Sequence, residues 1–221
     1  MPLIAKENYL KTMYLIEEES GSISLSELAR RLNVSIPTTN SMVKRLQEEG
    51  LTIYEKYKPS KLTKKGKKEA ALIVRKHRIA EMFLVEKLNF GWEEVHDIAE
   101  EMEHVQSETF FDRMYELLDA PAFSPHGSPI PDKNGVIVLP HYLKLSDAQQ
   151  GDKLILKALQ HDYNDLLSYL NSKELELGTH ITVNKVEAFD NSMAVSYNDK
   201  TNVNLSQQVC EKLLVIPLPA D

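Results

Sequence analysis

NVSIPTTNSMVKRLQEEGL, residues 33–51, decides the reading of this chain's fold. Asn33 breaks a preceding helix and Pro37 suits a first helical turn. Met42, Val43 and Leu46 then form an apolar stripe that runs to a stop at Gly50. The helix before it is SLSELARRL, where Ser24 or Ser26 caps and Leu25, Leu28, Ala29 and Leu32 face inward. Two short helices joined by a tight turn make a helix-turn-helix. Upstream, Tyr9, Leu10, Met13, Tyr14 and Ile16 recur at close to helical spacing within residues 6–19. Downstream, LTIYEKYKPSKLTKKG places β-formers around a turn at Pro59 and Ser60, which predicts a two-stranded wing and then a helix entered through Thr63.

The charge is unevenly spread. The 221 residues carry a net charge of -7, yet residues 1–80 hold 16 Lys and Arg against 9 Asp and Glu. Between Lys44 and Lys68 nine basic residues face three acidic ones, the most positive part of the chain. A basic module on an acidic chain suits nucleic-acid binding by the first third and cation or partner binding by the rest. No run approaches the roughly 20 apolar residues of a membrane span, and the N-terminus lacks a secretory apolar segment, so a cytoplasmic location is expected. Cys210 is the only cysteine, so a metal site would draw on nitrogen and oxygen donors.

Such donors cluster in VHDIAEEMEH, residues 95–104. At about 100° per residue, His96, Glu100, Glu103 and His104 share one helix face. A long helix is expected from Lys65 to about Leu88 and another from about Trp92 to Leu118, with Trp92 anchoring a dimer core. Prolines and glycines crowd residues 121–135 and mark a boundary. There His126 reads as a packing or capping residue. From Leu145 to Leu218, short apolar alternations separated by Asn, Asp and Gly predict a small SH3-like β-barrel with one short helix near residues 165–171. The class is mainly α with small β parts.

The helix-turn-helix, RKHRIAEMFL, EEVHDIAEEMEHV, the linker SPHGSPIP and the C-terminal barrel occur in the order of the diphtheria toxin repressor family, which this chain resembles over essentially its whole length. The resemblance implies a metal-dependent (Mn²⁺ or Fe²⁺) repressor of metal-homeostasis genes that binds double-stranded operator DNA as a metal-activated homodimer. It implies a winged-helix domain at 1–75, a helical dimerisation and metal-binding domain at 76–122, a Pro-rich linker at 123–145 and an SH3-like (FeoA-like) domain at 146–221. By similarity, a primary metal site uses Asn8, Glu100, Glu103 and His104. An ancillary site uses His77, Glu81 and His96, with Asp162 and Asp165 as barrel candidates. The iron-sensing branch has Cys at the position of Glu100, and the hard carboxylate here favours Mn²⁺ or Fe²⁺. The manganese branch usually has carboxylates where this chain has Asn8 and Lys11, which argues against a tight two-metal cluster using Lys11.

For DNA, Ser35, Pro37, Thr38, Asn40 and Ser41 sit at the exposed start of the second helix and are candidates for base or sugar contact. Lys44, Lys56, Lys58 and Lys61 are candidates for phosphate. Two other classes compete. Glu93/His96 and Glu101/His104 each make the Glu-x-x-His spacing of di-iron enzymes, but both pairs lie on one helix rather than on two. A winged-helix regulator answering to a small organic ligand would share the DNA-binding end and differ in metal content. Neither a His-Glu-x-x-His nor a Gly-x-Ser-x-Gly motif occurs.

Overall fold

The computed structural model describes residues 2–55, 58–138, 140–160 and 164–218. Lys56 and Asp162 lie outside them. The chain forms two compact units: Met1–Ala80 with Ile98–Ala120 and Ile130–Val138, and Glu81–Asp97 with Pro121–Pro129 and Leu139–Asp221.

In the first unit α1 (Leu3–Ser20) ends on Gly21, whose φ of 71° lets its N–H reach back to the Glu17 carbonyl. Helix α2 (Leu25–Arg31) is capped by Ser24, which accepts from the Glu27 N–H. Glu27 takes hydrogen bonds from Arg30 and Arg31, and these hold its carboxyl down at about 2. Asn33, at φ 51°, makes the turn into α3 (Ile36–Glu48), and Ser35 caps α3 by accepting from the Thr38 N–H. The wing is β1 (Thr52–Ile53) paired antiparallel with β2 (Lys61–Leu62). Helix α4 (Lys64–Leu88) follows, and a Cβ on its Gly66 would stand 2.0 Å from the Leu51 carbonyl oxygen. Only glycine lets α4 start this close to the wing. Leu10, Met13, Ile16, Leu28, Val43, Leu46, Leu51, Leu62 and Ile73 close one core, so the stripes read from the sequence are the ones buried.

One expected element is two. The helix anticipated from Trp92 to Leu118 is α5 (Val95–Met102) followed, after a break at residues 103–107, by α6 (Glu108–Leu117). Ser107 restarts the chain as an N-cap, accepting from the Phe110 N–H. No glycine or proline marks the break.

In the second unit a six-stranded antiparallel sheet runs in the order β3 (Leu143–Lys144), β8 (Leu213–Pro217), β4 (Lys153–Leu159), β5 (His180–Val186), β6 (Met193–Tyr197), β7 (Lys200–Leu205). Register shifts at Leu156/Ala158, Val183/Lys185 and Val195/Tyr197 bend it, as bulges do in small SH3-like folds. Its buried face (Leu154, Leu156, Ile181, Val183, Val195, Val215) packs with Leu167 and Leu170 of α7 (Asn164–Lys173). Helix α8 (Gln207–Cys210) buries Cys210, and that burial pushes its thiol up to about 11. Trp92, expected in a dimer core, packs on this sheet's core instead. Its indole N–H donates to Asn171 Oδ1 at 2.7 Å.

Candidate metal centre and DNA-reading face

In the first unit α1 turns Glu7 and Lys11 toward α5 and the turn after it. Glu7 and Lys11 are one helical turn apart and both buried, at 7% and 6% exposure, on a face that otherwise holds Leu10 and Tyr14. Helix α5 supplies Glu100 in its last turns, and the break after Met102 carries Glu103 and His104. Helix α4 supplies His77.

The contacts are close. Lys11 Nζ donates to Glu100 Oε2 at 2.5 Å and to Glu103 Oε2 at 2.8 Å. Glu103 Oε2 also lies 2.7 Å from His77 Nδ1, and the Glu103 side chain is fully buried. His104 Nδ1 lies 2.6 Å from Glu7 Oε2, and Gln106 Nε2 donates to Glu7 Oε1 at 3.1 Å. His104 Nε2 stands 4.0 Å from Glu103 Oε1.

Three carboxylates, two imidazoles and one ammonium therefore meet, all of them buried or nearly so except Glu100, which reaches solvent. Buried charge on this scale is held only by mutual pairing or by a cation. Two acceptors are buried with no hydrogen-bond partner among the described residues: Asn8 Oδ1 and Glu103 Oε1. His77, Glu100 and Glu103 each offer one donor atom, all within 4.8 Å of one another. Oxygen and imidazole donors in that number fit a divalent Mn²⁺ or Fe²⁺ ion.

Of the residues that the resemblance assigns to a primary site, Glu100, Glu103 and His104 lie in this cluster of contacts, and Asn8 carries one of the two buried acceptors. Two residues join them that the sequence reading had placed elsewhere or passed over. His77, assigned to the ancillary set, touches Glu103, and Glu7, not singled out at all, touches His104. Lys11 fills the space between the two α5-side carboxylates, in keeping with the expectation that it is no ligand.

Of the ancillary candidates, Glu81 and His96 lie in the second unit, their nearest side-chain atoms 3.6 Å apart, while His77 precedes Glu81 by one turn of α4. Glu81 is buried there beside a residue that sequence reasoning had set aside. His126 Nδ1 is 3.6 Å from Glu81 Oε1, and its Nε2 is 2.8 Å from the Trp92 carbonyl oxygen. The adjoining Gly127, at φ 81°, lets the linker pass so near β4 that a Cβ would meet the Lys157 carbonyl oxygen at 2.2 Å. The linker histidine is thus a packing residue, one of the two roles read for it from the sequence. Asp165 is exposed in the first turn of α7 and joins no ligand-spaced group among the described residues.

On the DNA-reading side Ser35, Pro37, Thr38 and Ser41 are exposed along the start of α3, and Asn40 is half-buried. Two hydroxyls are already engaged: Ser35 Oγ with Thr38 Oγ1 at 2.8 Å, and Ser41 Oγ donating to the Pro37 carbonyl at 3.0 Å. Lys44 and Lys61 are exposed, and the Lys44 ammonium sits 6.0 Å from the centre of the Tyr54 ring. Lys58 pairs with Glu55 at 2.5 Å in full solvent, which raises the ammonium and lowers the carboxyl.

Three known families match in sequence. Residues 4–59 match the iron dependent repressor N-terminal DNA binding domain, residues 63–132 its metal binding and dimerisation domain, and residues 143–217 the FeoA domain. The iron-dependent repressor IdeR of Mycobacterium bovis is 41% identical over 125 residues, 57% of this chain and 54% of that protein. The chain thus aligns with about half the length of that curated relative. The diphtheria toxin repressor of Corynebacterium efficiens is 30% identical over 189 residues, 80% of this chain and 81% of that one. Among solved structures, a manganese-dependent transcriptional repressor in complex with manganese superposes with a TM-score of 0.89. It is 30% identical, and the match covers 96% of this chain and 100% of that one.

Proposed function

Because this chain belongs to the diphtheria toxin repressor family, we propose that it is a metal-dependent transcriptional repressor of metal-homeostasis genes, activated by Mn²⁺ or Fe²⁺ and bound to operator DNA as a homodimer. The observation that carries the reading is the meeting of Glu7, His77, Glu100, Glu103 and His104, with Glu103 Oε1 and the nearby-in-sequence Asn8 Oδ1 buried without hydrogen-bond partners among the described residues. The assignment of 1–75 to DNA, 76–122 to metal and dimer, 123–145 to linker and 146–221 to an accessory domain goes with it. So does the cytoplasm as the place of work, since operator DNA lies there. Among the described residues no helix is long and apolar enough to cross a membrane.

When bound, the ion supplies positive charge that lets carboxylates from α1 and from the end of α5 share one small volume. Glu7 and Asn8 are its α1 donors, Glu100, Glu103 and His104 its α5-side donors, and His77 orients Glu103. Helix α1 also carries Leu10, Met13 and Ile16 into the core shared with α2 and α3, so fixing α1 against α5 fixes the bed on which α3 lies. The helix-turn-helix then meets the major groove at one spacing in the dimer, with Ser35, Pro37, Thr38, Asn40 and Ser41 toward the bases and Lys44, Lys58 and Lys61 toward phosphates. Lys56 belongs to the same set by sequence. A second cation site on Glu81, His96 and His126, for which Asp162 is a candidate by sequence alone, is part of the proposal. The buried Glu81–His126 approach supports it.

The test is a duplex selected from random sequence by the Mn²⁺-loaded protein, then titrated with chelator-stripped protein with and without Mn²⁺ or Fe²⁺. Tight binding only with metal is expected. Equal binding by the stripped protein would sink the reading and favour a constitutive or organic-ligand regulator.

A further inference from the structure

Lys11 has no place in the ligand set, yet it is a buried and closely held cation of the first unit. It is 6% exposed, its ammonium is shared between Glu100 and Glu103, and Glu103 is itself fully buried. Lysine is strongly hydrated and costly to bury, and a structural role alone would be met more cheaply by an apolar residue on the inner face of α1. Its neighbours on that face, Leu10 and Tyr14, are of that kind. What distinguishes position 11 is its target, because both oxygens it holds belong to carboxylates of the proposed centre.

We propose that Lys11 is a tethered competitor cation: in the metal-free chain its ammonium neutralises Glu100 and Glu103, and metal binding must displace it. The inference rests on the reading of this cluster as a metal centre. A charge fixed to α1 within hydrogen-bond reach acts at an effective concentration on the order of millimolar or more. A free divalent ion must outcompete it, so Lys11 raises the metal level at which the protein responds. Lys11 therefore sets the threshold of the response without touching the ion.

The experiment compares full-length wild type with Lys11→Met, which keeps the length of the side chain and removes the charge. Chelator-stripped protein is titrated with Mn²⁺ by calorimetry, and thermal unfolding is followed with and without the ion. Lys11→Met should bind Mn²⁺ at least tenfold more tightly. Its metal-free form should melt lower, and the rise in Tm on adding Mn²⁺ should be larger than in wild type. Equal or weaker Mn²⁺ binding by the variant would overturn the inference while leaving the metal centre standing. Failure of both proteins to bind Mn²⁺ or Fe²⁺ would remove the metal reading and the inference together. If Lys11→Met does not fold, Lys11→Gln replaces it with the same expectation. A variant-free readout is the ¹⁵N resonance of the Lys11 ammonium, protected from exchange in the stripped protein. It should vanish on adding diamagnetic Zn²⁺, and its persistence in the loaded protein would refute displacement.

Discussion

Replacing Glu103 by Gln removes one charge and almost no volume, at the residue on which the first unit's ionic contacts converge. Glu103 is fully buried, takes a hydrogen bond from Lys11 at 2.8 Å and faces His77 at 2.7 Å. Removing one partner of a buried ion pair typically costs about 3–5 kcal/mol. Lys11 keeps Glu100, whose side chain is 39% exposed, so the lower end applies, and Gln can still accept a hydrogen bond. A loss of about 2–3 kcal/mol is expected, which for a unit of roughly a hundred residues lowers Tm by about 10–20 °C. Metal widens the gap. At an ion concentration about 100 times its Kd, wild type gains about 2.7 kcal/mol by mass action, and a variant that no longer binds gains nothing. Calorimetric unfolding of stripped and Mn²⁺-loaded samples reads both effects, and operator titration reads the functional one. A Glu103→Gln protein as stable as wild type without metal, and equally stabilised by Mn²⁺, would refute both the buried pairing and the place of Glu103 in the centre.

Other outcomes follow from particular contacts. Asn8→Asp adds a carboxylate where Asn8 Oδ1 is buried without a hydrogen-bond partner, so Mn²⁺ should bind about tenfold more tightly by calorimetry; weaker binding would place Asn8 outside the ligand set. Lys58→Ala should lower the slope of log K against log salt for operator binding by about one, and an unchanged slope would strike Lys58 from the phosphate contacts. Gly127→Ala meets backbone at 2.2 Å from a left-handed φ, so the second unit should lose roughly 2–4 kcal/mol in urea unfolding followed by Trp92 fluorescence, whereas a neutral effect would show that the linker packs more loosely. Burial raises the Cys210 thiol from 9.0 to about 11, so the folded state holds a proton there that the unfolded chain gives up. Its contribution is full below pH 9 and is lost as pH rises toward 11, up to about 3 kcal/mol. Cys210→Ala should lose correspondingly less than wild type over that window, what remains coming from the tyrosines whose hydroxyls burial also raises.

The N-terminal elements were legible because each rests on local signals. Ser24 and Ser35 cap, Asn33 turns, and the apolar stripes of α1 to α4 end up in one core. The break between α5 and α6 was not legible, because residues 92–118 contain no helix breaker. What halts the helix is tertiary, the burial of Glu103 against Lys11 and His77, and a period-based reading cannot see a partner 92 residues away. Glu7 was missed for a related reason, since an acid among Lys6, Asn8 and Lys11 looks like a solvated face. The available signal was that Glu7 and Lys11 fall on the stripe of Leu10 and Tyr14, where a charge needs a buried partner. His126 was legible as a packing residue, and the adjoining Gly127 gives the close approach of backbone that buries it. Trp92 went to the wrong core because aromatic size predicts burial but not the element that supplies it.

The break at residues 103–107 also separates two kinds of sequence change. An uninterrupted helix would carry the ligands and the exposed apolar side chains of α6, Phe110 and Leu117, on one rigid screw, where an inserted or deleted residue rotates everything beyond it by about 100°. With α5 ended at Met102 and α6 begun afresh at its Ser107 cap, such a change between the two is absorbed in the turn. The surface of α6 can then drift in sequence and even in register while Glu103 and His104 keep their positions. Descendants of this chain could thus alter that surface and retain the same ion, or retune the ion and leave that surface unchanged.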